Sequence, residues 1–123
     1  MTKDLISKAE IKETEDYLNG YALNMKLLRL CKYEKDVSLR DGEENETFGD
    51  ELLARAKMFE VRHFIMGLKN SNEKLLLYYR YVRGETVERC AVLLGISRSS
   101  AYRLRDRALI LAAEQRRKNA AEL

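Results

Sequence analysis

At 123 residues the chain has room for one domain with a real core but not for two large ones. It is 46% hydrophobic and 35% charged, has no proline and only six glycines, which excludes fibrous, collagen-like and low-complexity classes and lets long helices run unbroken. The net charge is +3, but it is unevenly spread: residues 1–70 carry 12 basic and 14 acidic side chains, −2, whereas residues 71–123 carry 11 and 6, +5. The C-terminal part is therefore the place to look for an acidic partner such as nucleic acid. Apolar runs such as Leu75-Leu76-Leu77-Tyr78-Tyr79 are far too short to span a bilayer, and no charged-then-apolar leader opens the chain. Cys31 and Cys90 cannot build a disulfide framework and fall on apolar stripes, so they read as buried thiols in a reduced, cytoplasmic setting.

The first segment, residues 3–35, reads as one long helix. Leu18, Tyr21, Met25 and Leu28 recur at three- and four-residue steps, extended by Ile11 and Cys31, with charged residues over much of the rest. Gly20 weakens that helix by about 1 kcal/mol relative to alanine. One amphipathic helix cannot bury its stripe alone. It either folds back on the rest of the chain or pairs with a second chain, and pairing into a homodimer is the expectation, with Leu18, Tyr21, Met25 and Leu28 central to the interface. Residues 36–50 (DVSLRDGEENETFGD) hold two glycines and six acids against one base, and read as a solvated acidic linker. The regular alternation of oxygen ligands that a calcium loop needs is missing from it.

Residues 51–123 read as a four-helix domain, which makes the fold all-α. Glu51 to Lys69 is amphipathic, with Leu52, Ala56, Phe59, Phe64 and Leu68 among its apolar residues. Ser71 or Asn72 is placed to cap a helix from Glu73 to Arg83, which Gly84 ends. Thr86 caps a short helix, Val87 to Leu94; Gly95 stops it; Ser97 caps a last helix running to about Lys118.

The stretch Thr86 to Leu109 (TVERCAVLLGISRSSAYRLRDRAL) carries the functional signal. Two helices that cross steeply need a small residue at the crossing, and Ala91 is there. The tight turn needs a residue that tolerates positive φ, and Gly95 supplies it. Ile96 plugs the corner, and Ser97 satisfies amides at the start of the second helix. Ala101, Leu104 and Ala108 face inward, opposite Val87, Cys90 and Leu94. In this order and spacing the set predicts a helix-turn-helix. On the outward face of its second helix lie Ser99, Arg103 and Asp106, flanked by Ser100, Arg107 and Tyr102, with Arg98 projecting from the start. Short donors and arginines are what read base edges in the major groove. Arg103 is the first choice for a bidentate guanine contact. Ser99 and Ser100 let the helix approach closely, and Ser97, Arg98, Tyr102 and Arg107 suit phosphates. Arg116, Arg117 and Lys118 are favoured at a helix C-terminus by the macrodipole alone.

From Met66 to Leu109 these residues resemble region 4 of the sigma-70 family: Gly67-Leu68, Ser71-Asn72-Glu73, Leu76, Leu77, Tyr81, Gly84, Thr86-Val87-Glu88, Ala91, Leu94-Gly95-Ile96-Ser97-Arg98 and Ala108-Leu109. More narrowly, Tyr81-Val82-Arg83-Gly84 and Ser97 through Leu104 are similar to phage-encoded ArpU-type regulators of late transcription. The resemblance implies a DNA-binding transcription regulator of a Gram-positive bacterium or its prophage, with RNA polymerase as a candidate partner. The chain departs from a full sigma factor in two ways. It has no recognisable counterpart of the helices that melt promoter DNA, and it carries Ser99 and Ser100 where charged side chains are common. Two other readings fit a helix-turn-helix with an oligomerising helix: a small-terminase-like DNA-packaging protein, and an adaptor for polymerase or a sigma factor. Enzyme chemistry is not expected, and neither is a cofactor or metal. His63 is the only histidine, the cysteines lack a base partner, and no nucleotide-binding loop or serine-nucleophile motif is present.

Overall fold

The computed structural model describes residues 5–41 and 48–122, and among them every regular element is helical. Helix α1 spans Lys8–Asp41, α2 Phe48–Met66, α3 Ser71–Leu77, α4 Val87–Leu94 and α5 Arg98–Ala121. The all-α expectation holds, and none of these helices is long and apolar enough to cross a membrane.

Helix α1 begins with a capping box. Ser7 Oγ accepts the Glu10 amide at 3.1 Å while the Glu10 carboxylate accepts the Ser7 amide at 3.3 Å. The helix therefore starts at Lys8, not near Lys3 as periodicity alone suggested. It also runs further than expected. Asp36 to Asp41, assigned to the acidic linker, continue the helix, and the remainder of that linker up to residue 47 lies outside the described residues. Composition misled here because acidity and helicity are compatible; only the glycines are true breakers. Helix α2 likewise begins earlier, at Phe48, and stops at Met66, where the Gly67 amide closes back on His63.

Helices α1 and α2 run antiparallel. Tyr17 meets Phe64 edge-on with centroids 5.5 Å apart, the Lys57 ammonium sits 5.1 Å over the Tyr17 ring, and Cys31 lies within the field of Asp50 and Glu51. Leu18 is fully buried and Tyr21 nearly so. They belong to one apolar cluster with Val61, Ile65, Leu76, Leu77, Tyr81, Cys90, Leu104, Ala108 and Ala112. Met25 and the half-buried Leu28 lie further along the same face. The stripe expected to pair between chains is thus taken up within the chain. Folding back on the C-terminal helices is the arrangement adopted, and the N-terminal helix shares a core with the segment from residue 51 onward.

Helix α3 is capped by Asn70, one residue before the expected Ser71, and makes no side-chain cap bond. Beyond Leu77 the chain widens into a π-helical turn, Tyr78–Val82, closed by the Arg83 amide on the Tyr78 carbonyl at 3.1 Å and the Glu85 amide on Tyr79 at 2.9 Å. Tyr81 of this turn is buried in the core, where burial pushes its phenol up to about 12. Gly84 then reverses the chain at φ +71°. Both cysteines are buried and free, with thiol pKa values raised by burial, as suits packing rather than chemistry.

Candidate nucleic-acid interface

The helix-turn-helix forms over the predicted residues. Thr86 sits extended and its hydroxyl accepts the Arg89 amide at 3.1 Å, starting α4. Gly95 adopts φ +68°, and the turn closes with the Ile96 amide on the Ala91 carbonyl at 3.0 Å and the Gly95 amide on Val92 at 3.2 Å, the paired bonds of a Schellman closure. Ser97 is extended in turn, and its hydroxyl accepts the Ser100 amide at 3.2 Å to start α5. Val87, Ala91 and Ala101 are buried together with Ile96 and Tyr102 against them. The small side chains at 91 and 101 are what permit the two helices to cross closely. Cys90 and Leu104 anchor the pair to the main core. The inward faces of both helices match expectation residue by residue.

The outward face of α5 sorts into three groups. Ser99 and Arg103 are exposed, one helical turn apart on one stripe, and neither side chain makes a hydrogen bond or ion pair among the described residues. Ser97 and Ser100 are spent on the cap, their hydroxyls bonded to each other at 2.8 Å. Arg98, Tyr102 and Arg107 are held by acids of other helices. Glu88 of α4 accepts the Tyr102 hydroxyl at 2.5 Å and the Arg98 guanidinium at 3.2 Å. Those bonds, Tyr102's first, hold the Glu88 carboxyl below its usual pKa. Tyr102 is further flanked by Arg98 and Arg105, whose guanidinium carbons lie 5.9 and 5.0 Å from its ring centroid. Arg107 lies 3.9 Å from Glu73 of α3, a loose pair with the arginine still mostly in solvent.

This division has a chemical consequence. Arg98 and Tyr102 are oriented before any ligand arrives, so fixing them costs little ordering entropy. Among the described residues Arg103 remains an unengaged guanidinium fork, the geometry that matches the guanine edge. Helix geometry leaves the Arg98 and Ser99 amides without an intrahelical acceptor at the positive end of the helix. Glu88 was not singled out from the sequence. Its position in the first turn of α4 was legible, but its partners are 10 and 14 residues away and depend on the crossing angle.

The basic end of α5 does something different. Arg116 donates to the Thr14 hydroxyl at 3.4 Å and covers the Tyr17 ring at 4.6 Å. Arg117 forks onto the Glu10 carboxylate at 2.6 to 3.0 Å. These arginines bind α1 to α5 at the far end of the helix from the Ser99–Arg103 stripe. Of the four residues expected at a chain–chain interface, none lies on the outer surface of α1 as an open contact: Leu18 and Tyr21 are core, and Met25 and Leu28 are half-buried. No protein-family model, curated protein or solved structure matches this chain.

Proposed function

We propose that this chain is a sequence-specific double-stranded DNA-binding regulator of transcription, of the kind encoded by phages or prophages, with the first two turns of α5 in the major groove. The observation that carries the reading is the exposed Ser99–Arg103 stripe, without hydrogen-bond or ion-pair partners among the described residues, at the start of the second helix of a helix-turn-helix. In this reading Arg103 contacts a guanine, and Ser99 borders the neighbouring base. Arg98, Tyr102 and Arg107 engage phosphates and fix the register, while Ser97 and Ser100 hold the start of the helix. The charge asymmetry of the sequence supports it, since +5 resides in residues 71–123. RNA polymerase is the second partner this reading anticipates, through the resemblance to sigma-70 region 4.

Sequence selection from a random duplex library at near-physiological salt tests the proposal, with wild type and Arg103→Ala in parallel. Wild type should enrich one motif. The variant should lose about 1–3 kcal/mol and relax a single base position. No enrichment by wild type would overturn direct readout. Enrichment unaffected at every position by Arg103→Ala would remove Arg103 from the contact.

A further inference from the structure

Helix α2 presents two apolar seams rather than one. The inner seam, Ala54, Met58, Val61 and Ile65, steps by four, three and four residues and is buried or half-buried in the core. The outer seam, Leu52, Ala56, Phe59, His63 and Met66, follows the same four-three spacing on the opposite face, and every member is exposed. Leu52 is 59% exposed, Phe59 66% and Met66 53%, with Leu53 beside them at 71%. The rings of Phe59 and His63 stack at 5.6 Å, which places a flat aromatic pair at the centre of that face. Scattered apolar residues on a surface need no explanation, but a seam in strict register does.

Charges flank the seam in a self-complementary pattern. Arg55 and Arg62 border one edge and Glu60 the other. In two parallel helices packed along such a seam, each Arg55 lies opposite the Glu60 of the other helix, five residues on, so the two-fold makes the pair twice. Glu60 meets Lys57 of its own helix at 3.1 Å, yet 56% of its side chain remains open to a second cation. An antiparallel arrangement would instead set the Arg55 and Arg62 edges against each other.

We infer that the outer face of α2 is a self-association surface on which a second copy of this chain lays its own α2 in parallel. The pattern favours an identical chain because the same helix supplies both halves of the charge pairing. Helix α2 is already ordered by α1, so pairing carries no cost of forming the helix. A single helix face sits at the small end for stable dimers, below roughly 800 Å² per partner, so the dimer is reversible and depends on concentration. This surface does not depend on the DNA-reading proposal, and its partner is present without DNA.

Sedimentation equilibrium of the full chain without DNA, from micromolar to millimolar concentration, tests the inference. The expected result is a monomer–dimer equilibrium. Phe59→Glu should shift it to monomer while leaving helicity and the unfolding midpoint of dilute protein unchanged, because Phe59 is exposed. Arg55→Glu and Glu60→Arg should each weaken the dimer by roughly three- to tenfold, and the double exchange should restore it. A chain that stays monomeric throughout, or a dimer insensitive to Phe59→Glu, overturns the surface. Tighter association on Arg55→Glu overturns the parallel arrangement.

Discussion

The helix-turn-helix and the α1–α2 hairpin are both pairs of packed helices, yet they are specified in different ways. In the helix-turn-helix an eight-residue helix is fixed by a hydroxyl cap at one end and a left-handed glycine at the other, and a second hydroxyl starts the next helix. Each of these devices acts within a few residues. In the hairpin, α1 and α2 are 34 and 19 residues long, and their pairing rests on apolar seams. A seam says that a face will be covered, but not by what. On α2 the ambiguity is complete, since both faces carry the same spacing and only one of them meets α1. Capped turns determine their own geometry, whereas seams leave the partner open.

The largest expected effect comes from Leu18→Ala, which tests whether these two regions are energetically one. Leu18 is fully buried in the cluster that also holds Leu104 and Ala108 of α5. Removing it should cost about 2–5 kcal/mol. Because the core is shared, thermal unfolding should remain one transition at a lower midpoint, with DNA binding lost along it. A variant in which α1 and α2 melt early while the helix-turn-helix retains its own midpoint would show that the regions are separable.

Gly95→Ala strikes the local device instead. Nothing lies within 4 Å of the added Cβ, so the cost is the left-handed backbone alone, about 1–2 kcal/mol. Gly95→Asn should recover part of it, since asparagine tolerates that conformation. Equal losses for alanine and asparagine in denaturant titrations would mean that the turn is limited by something other than φ.

How much was legible follows from the same contrast. Thr86, Gly95 and Ser97 announced the turn and both helix starts to the residue, because the physics of a cap is local. The inward faces of α4 and α5 followed from spacing. What could not be read was whatever depends on distant chain: that Leu18 and Tyr21 meet α2 and α5, that Glu88 reaches Arg98 and Tyr102, and that Arg116 and Arg117 turn toward α1. The π-helical turn at Tyr78–Val82 left no mark, since one extra residue in a helix does not change the apolar spacing enough to show. One local signal was present but overlooked, the Ser7–Glu10 capping box that sets the start of α1.

A smaller effect concerns affinity. Glu88→Gln removes an anion from the face proposed to meet phosphates and releases the Arg98 guanidinium. Binding to any duplex should tighten, and the slope of log affinity against log salt should steepen by about one phosphate contact. Sequence preference should stay where Arg103 sets it. Should Glu88→Gln instead weaken binding, orientation of Arg98 and Tyr102 would outweigh the repulsion, and Glu88 would be a positioning residue of the interface.

The smallest effect distinguishes the two ends of α5. Glu10 has its carboxyl pKa held below the usual 4.5, chiefly by the hydrogen bond from Arg117, with the Ser7 amide adding to it. A carboxylate whose pKa is lower in the folded state contributes stability that is fully present above its unfolded value and disappears as pH falls through the folded one. The α1–α5 clasp should therefore be constant near neutrality and weaken below about pH 4.5. Glu10→Gln removes the charge while leaving an amide oxygen able to accept the Ser7 amide. Its unfolding midpoint should lie slightly below wild type at pH 7 and converge on it in acid. Parallel curves over the whole range would mean that the neutral amide fails for packing reasons and that the Arg117 fork adds nothing. Convergence would assign Arg117, near the end of α5, to holding the N-terminal helix in place.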